Sequence, residues 1–292
     1  MMVPGQHDTL NARLQEVRGL MAQALADTVL RHFANDCKAL VGSGKMLRSR
    51  LVLQVGEAAG VPGNTLLHAA AAVEMIHAAS LLHDDVIDGG FLRRGVPTFW
   101  VERGVPGAIL VGDLMLFKAL ELVSRVEDSR LTRQLIRMTG EVCDAESEQE
   151  LLLRNTAPTW ENCLKIARRK TGALFAFAAF ACGGTDEALS QALNEAGYII
   201  GTAYQLADDI LDAKGTPEQS GKSHGSDHAR HKTTAVTANT DTGRDPIAYV
   251  EDLCRQAEAL LAPWPAILTA WREFMTRDMQ PALYQNLQYN PS

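Results

Sequence analysis

Residues 64–88 read NTLLHAAAAVEMIHAASLLHDDVID, and this stretch decides the fold. Ala, Leu, Val, Met and Ile fill nearly every position from Leu66 to Leu82, with no Gly or Pro to interrupt a helix. A helix that is apolar on all sides must be buried, so this one is read as the central helix of a bundle, starting at Asn64. Gly89-Gly90 ends it directly after Asp84-Asp85-x-x-Asp88. On an α-helix, residues i and i+4 lie about 40° apart, so Asp84 and Asp88 project from one face with Asp85 beside them.

The same spacing returns more than a hundred residues later as Asp208-Asp209-x-x-Asp212, again after an apolar helical run. Like charges near 4 Å repel by roughly 4 kcal/mol at a protein-surface effective dielectric, so two such faces call for cations. Oxygen ligands without His or Cys at matching spacing favour a hard ion such as Mg²⁺, which bridges carboxylates to substrate phosphates. Neither segment has the alternating acidic loop and closing Glu of a calcium-binding EF-hand. Basic residues accompany both clusters: Arg93 and Arg94 follow Asp88, Lys222 follows Asp212 within GKSHG, and Lys45 and Arg48 stand one helical turn apart in GSGKMLRSR. Arginine forks and lysine point charges facing a metal-carboxylate surface suit a diphosphate. His77 lies seven residues before Asp84, nearly two turns, and shares its face.

From about Gly42 to Lys232 the chain resembles the trans-type isoprenyl diphosphate synthases. Gly44-Lys45-Met46-Leu47-Arg48-Ser49 is similar to that family's GGKRxRP, and Glu74 through Thr98 to ExxHxxSLxHDDxxDxxxxRRGxPT. Asp113, Glu146 with Gln149, Lys170-Thr171, Tyr204-Gln205, Gly221-Lys222, Asp227 and Lys232-x-Thr234 follow in the family's order. The resemblance implies an all-α helical bundle around a central cavity, the isoprenoid synthase type I fold. It also implies a trans-prenyltransferase that condenses isopentenyl diphosphate with an allylic diphosphate (dimethylallyl, geranyl or farnesyl). The allylic substrate would be held through Mg²⁺ by Asp84, Asp88 and Asp208, with Arg93, Lys170, Lys222 and Lys232 neutralising its phosphates. Isopentenyl diphosphate would bind Lys45, Arg48, His77 and Arg94 without metal. Asp85, Asp209 and Asp212 would support the metal cluster, and Gln205 with Thr171 would lie near the developing carbocation. A homodimer is implied as well.

In such enzymes the growing chain extends away from the metal site between helices. Ala79 and Ser80, five and four positions before Asp84, are small. The compact first motif likewise resembles geranylgeranyl-type and long-chain enzymes, and a product of geranylgeranyl length or longer is expected. Ile76, Val73, Met115 or Phe117 are alternative residues for closing the tunnel.

Composition fits one helical domain, residues 1–292. The chain is 46% hydrophobic but only 6% aromatic, which favours Ala- and Leu-rich helices over strands. Further helices are expected at 11–33, 45–59, 107–123, 131–153, 160–181, 187–212 and 247–261, the last capped by Asp245 and opened by Pro246. The segment GTPEQSGKSHGSD reads as a mobile phosphate-covering loop. A net charge of −7 argues against nucleic acid as a partner. Five cysteines without CxxC spacing indicate reduced thiols and a cytoplasmic setting, and the longest wholly apolar run, ALFAFAAFAC, is too short to span a bilayer.

The sequence departs from the family pattern at Ser49, where proline is usual, at His231, where glycine is usual, and after Thr234, where AVTANTDTGRDP is polar and turn-rich. Two rival readings remain at this level. A class I terpene cyclase shares the fold and the ionisation step but lacks the isopentenyl-binding cations and the second aspartate cluster. A non-catalytic partner subunit would have lost one of the clusters.

Overall fold

The computed structural model describes residues 5–33, 44–93, 95–154, 156–157, 159–214 and 245–287. Helices carry nearly all of it. The first, α1 (Gly5–Ala26), is followed by a 3-10 turn (Val29–Phe33), α2 (Leu47–Ala58) and α3 (Gly63–Ile87). A two-stranded antiparallel hairpin, β1 (Leu92–Arg93) and β2 (Val96–Pro97), leads to α4 (Phe99–Ser124). Helix α5 (Ser129–Glu148) runs into a π-helical segment, Gln149–Leu153. Helix α6 (Trp160–Ala167) continues through a second π segment, Arg168–Gly172, into α7 (Ala173–Phe180). Then come α8 (Glu187–Lys214), α9 (Pro246–Leu260), α10 (Pro265–Phe274), a third π segment (Met275–Met279) and α11 (Gln280–Leu287).

Helix α3 is the buried axis the sequence predicts. Every residue from Ala69 to Ile76 is buried, as are Ala78, Ala79 and Leu82. By length and composition alone α3 is apolar enough to cross a membrane, but most of its surface is packed inside the bundle. It lies chiefly along α4, while α7 lies along α8.

Glycine sets how closely α8 approaches the helix opposite. A Cβ on Gly197 would stand 2.5 Å from the Phe175 carbonyl oxygen, and one on Gly201 would stand 2.6 Å from Gly172 Cα. Both distances are well inside ordinary van der Waals contact, about 3.5–4.0 Å between carbons and slightly less from carbon to oxygen, so the two backbones touch because no side chain intervenes.

Several element boundaries differ from the sequence reading. The first helix stops at Ala26, and the chain turns through a separate 3-10 segment. Helix α2 opens at Leu47, not at Lys45, because Met46 adopts a left-handed conformation, φ 50° and ψ 42°. Lys45 and Arg48 are therefore not stacked on one helical turn. Helix α4 begins eight residues earlier than expected and breaks at Gly104 (φ 78°, ψ 161°), a conformation open to glycine, just before Pro106. The cap at Asp245 forms as expected: its Oδ1 accepts from Ile247 N at 3.0 Å, with Pro246 in the first turn.

Candidate active site

The C-terminal end of α3 carries the first acid cluster. Asp88 closes the helix, its N–H donating to the Asp84 carbonyl at 2.7 Å, and Gly89 at φ 51° turns the chain away. The hairpin then folds back over the helix end. Thr98 Oγ1 and Trp100 Nε1 both donate to the Gly90 carbonyl, at 2.6 and 2.8 Å. This return brings Arg93 onto Asp85: Nε lies 3.1 Å from both carboxylate oxygens and Nη2 lies 2.7 Å from Oδ1. Asp85 is buried, and its charge is matched by this forked contact. Asp84 and Asp88, one turn apart, keep the partly open face.

The π-helical segment 168–172 joins this cluster to the second one. Lys170 Nζ is 3.8 Å from Asp84 Oδ2 and is ion-paired with Glu146 on α5. Burial works against its charge, but Asp84, Glu146 and Asp88 together hold the ammonium well above the ordinary lysine range. Its neighbour Thr171 points to α8, where Oγ1 donates to Gln205 Oε1 at 2.5 Å. Gln205 Nε2 in turn donates to Asp209 Oδ1 at 2.8 Å. Cys163 Sγ on α6 completes the chain, 3.9 Å from Asp209 Oδ2, and burial followed by the charge of Asp209 pushes its thiol far above the ordinary value. Thus two consecutive residues touch the two acid-bearing helices. Cys163 escapes sequence reasoning, because a lone cysteine on an amphipathic helix carries no signal; Glu146 is visible there only through its order in the family pattern.

On the third side lies α2. Arg48 is buried, its guanidinium 4.7 Å from the Phe175 ring centroid. Burial lowers its pKa from the ordinary arginine value, opposed by Glu74 and Tyr204, and its Nε has no hydrogen-bond partner among the described residues. Glu74 also serves Ser49: its Oε1 accepts from Ser49 N at 3.0 Å. A proline there would have no N–H to satisfy, so the departure at Ser49 is matched by a buried acceptor. Lys45 is exposed, just ahead of the left-handed Met46, whose conformation costs roughly 1–2 kcal/mol for a residue with a Cβ. His77 is half-buried on α3, with its carbonyl accepting from Ser80 Oγ at 2.9 Å.

The donor set suits a hard divalent ion. Asp84, Asp88 and Asp208 offer oxygen only, and the nearest imidazole in sequence, His83, is turned away, its Nε2 lying 3.3 Å from the Ile109 carbonyl and 3.4 Å from Asp113. Among the described residues no three acidic, His or Cys side chains converge as a closed metal cage. Magnesium seldom asks for one, since it keeps several waters and shares its shell with substrate phosphates. Arg94, Lys222, Lys232 and the loop GTPEQSGKSHGSD lie outside the described residues, as does the side chain of Asp212.

One expectation is corrected. Phe117 does not close a tunnel floor, because it is 71% exposed on the outer face of α4, whereas Met115, Val73, Ile76 and Ala79 are buried.

Residues 31–256 match the Polyprenyl synthetase family. The geranylgeranyl diphosphate synthase of Methanosarcina mazei is 32% identical over 248 residues, covering 82% of this chain and 76% of that protein. The octaprenyl diphosphate synthase of Haemophilus influenzae is 34% identical over 66% of this chain and 60% of its own length. Among solved structures, the polyprenyl synthase of Caulobacter crescentus, complexed with calcium and isoprenyl diphosphate, superposes with a TM-score of 0.72 at 27% identity, covering 96% of this chain and 94% of that one. The chain belongs to the polyprenyl synthetase family and is a prenyltransferase.

Proposed function

We propose that this member of the polyprenyl synthetase family, acting as one domain over residues 1–292, condenses isopentenyl diphosphate with an allylic diphosphate (dimethylallyl, geranyl or farnesyl) to give an all-trans product of geranylgeranyl length or longer. The observation that carries the reading is the Lys170-Thr171 pair, which touches Asp84 on α3 and Gln205 on α8 and so ties the two acid clusters into one site. Asp84, Asp88 and Asp208 are the residues that would hold Mg²⁺, with Asp85, Asp209 and Asp212 in support. Bound there, the metal supplies electrostatic stabilisation of the departing diphosphate. The calcium in the Caulobacter relative is consistent with a divalent ion in this family.

The protein's own groups complete the chemistry. Lys170, held charged, adds a fixed positive charge where the C–O bond of the allylic substrate breaks and the diphosphate leaves with the electron pair. Arg93 neutralises the same phosphates, together with Lys222 and Lys232. The Thr171–Gln205 pair offers oxygen dipoles to the allylic cation. Isopentenyl diphosphate is assigned to Lys45, Arg48, His77 and Arg94, and the buried Nε of Arg48, which has no hydrogen-bond partner among the described residues, supports this, since such a donor calls for an acceptor. The alkene attacks the cation to form the new C–C bond, and the released diphosphate takes the proton then lost.

The chain-length reading rests on buried Ala79 and on the absence of any Phe, Tyr or Trp between residues 64 and 88. A homodimer is supported by the outer face of α4, where Leu110 and Phe117, two turns apart, are 67% and 71% exposed. A cytoplasmic setting is supported by the four described cysteines, all free.

The test is incubation with Mg²⁺, labelled isopentenyl diphosphate and each primer, followed by sizing of the products. Asp84→Ala and Asp208→Ala should each abolish elongation with an unchanged circular dichroism spectrum. Undiminished turnover in either variant contradicts the assignment.

A further inference from the structure

The segment that carries Lys45 is braced from the far end of the chain. Arg50 grips it twice: its backbone N donates to the Met46 carbonyl at 2.9 Å, and its Nε donates to the Lys45 carbonyl at 3.0 Å. The other end of the same guanidinium is anchored, Nη1 donating to Asp278 Oδ1 at 2.9 Å. The second oxygen of Asp278 accepts from Gln54 Nε2 at 2.6 Å, so both carboxylate oxygens are committed to α2. Asp278 belongs to the π segment 275–279 after α10, lies 228 positions from Arg50, and its side chain is only 11% exposed. The Arg50 side chain, 23% exposed, links that segment to the one left-handed non-glycine residue among the described residues, Met46.

We propose that Asp278 is a positioning residue for isopentenyl diphosphate: through Arg50 it fixes the Lys45 carbonyl and the left-handed turn at Met46, and so sets where the Lys45 side chain leaves the backbone. This rests on the reading of Lys45 as a diphosphate-binding residue. The physical case is one of constraint. A left-handed residue with a Cβ persists only where its surroundings over-determine it, and here those surroundings are a charge-assisted bond to a largely shielded carboxylate. With the carboxylate removed, Arg50 keeps its donors but loses its anchor, and the Lys45 carbonyl loses a fixed partner.

The experiment measures KM for isopentenyl diphosphate and for the allylic primer separately, with kcat, in Asp278→Ala, Asp278→Glu and Lys45→Ala. Asp278→Ala should raise KM for isopentenyl diphosphate about tenfold, the scale of one lost charge-assisted hydrogen bond, while the allylic KM stays within about twofold. Asp278→Glu, which keeps the carboxylate, should recover most of the loss. Should Asp278→Ala melt below the assay temperature, Asp278→Asn is read by the same criteria. If Lys45→Ala leaves the isopentenyl KM unchanged, the reading of Lys45 fails and the inference falls with it. If Lys45→Ala raises that KM but the Asp278 variants do not, or if they depress both substrates and kcat alike, the inference alone is overturned.

Discussion

Substituting alanine for Gly201 tests whether the close contact of α8 with the Lys170-Thr171 segment builds the site. The added Cβ would stand 2.6 Å from Gly172 Cα and 3.0 Å from the Phe175 ring. Gly172 is backbone and cannot swing aside, so restoring ordinary contact requires the helices to part by about 1 Å. Overpacking of this kind costs roughly 1–3 kcal/mol, and the better helix propensity of alanine returns about 1 kcal/mol, leaving a net loss of about 0–2 kcal/mol. At about 2–4 °C per kcal/mol, the melting temperature should fall by only a few degrees. Activity should suffer more. Gly201 is one turn from Gln205, and Gly172 adjoins Thr171, so the same parting stretches the 2.5 Å Thr171–Gln205 bond toward about 3.5 Å, where it ceases to be one. Misplacement by about 1 Å commonly costs up to about a hundredfold in rate. Elongation assayed with labelled isopentenyl diphosphate should therefore drop about 10- to 100-fold at a temperature where the variant is folded. Gly140→Ala on α5, where an added Cβ would meet nothing within 4 Å, is the control and should stabilise by about 0.5–1 kcal/mol without loss of rate. A Gly201→Ala enzyme within twofold of the parent would refute the reasoning.

Other outcomes follow from the same geometry. Ala79→Phe places a ring where the proposed product chain runs, so the product distribution should shift to shorter chains; an unchanged distribution would mean the chain passes elsewhere. Lys170→Met leaves Asp84, Asp88 and Glu146 short of a partner and should cost about 1–3 kcal/mol in denaturant unfolding. Because the folded-state pKa of Lys170 is raised, its contribution is fully present below the unfolded lysine value of about 10.4 and fades only as pH climbs through the higher folded value. The deficit of Lys170→Met relative to the parent should thus stay constant from about pH 7 to 9.5 and shrink only above that, and a deficit that already changes between about pH 7 and 9 would show that Lys170 titrates below the unfolded lysine value, contrary to a raised pKa.

Much of this protein was legible in the sequence because its strongest signals are local. The nearly all-apolar stretch from Leu66 to Leu82 reads as a buried helix, and Asp84 and Asp88 share a face by helical geometry alone, whatever surrounds them. The cap at Asp245 is local too, and it formed as read. What required tertiary structure are the relations between residues distant in sequence. Lys170 is drawn in by carboxylates on two other helices, Arg93 closes on Asp85 because a hairpin folds back, and Cys163 meets Asp209 across a helix pair. The left-handed Met46, which displaced the start of α2 and separated Lys45 from Arg48, has no signature in its own side chain, because backbone strain there is held by Arg50 and, through it, by Asp278. Phe117 makes the same point in reverse: helical spacing gives its angle around α4, but only the packing of α3 against α4 decides that this angle faces outward. Periodicity and spacing are properties of one strip of chain, whereas a charge's partner and a side chain's burial belong to the assembled bundle.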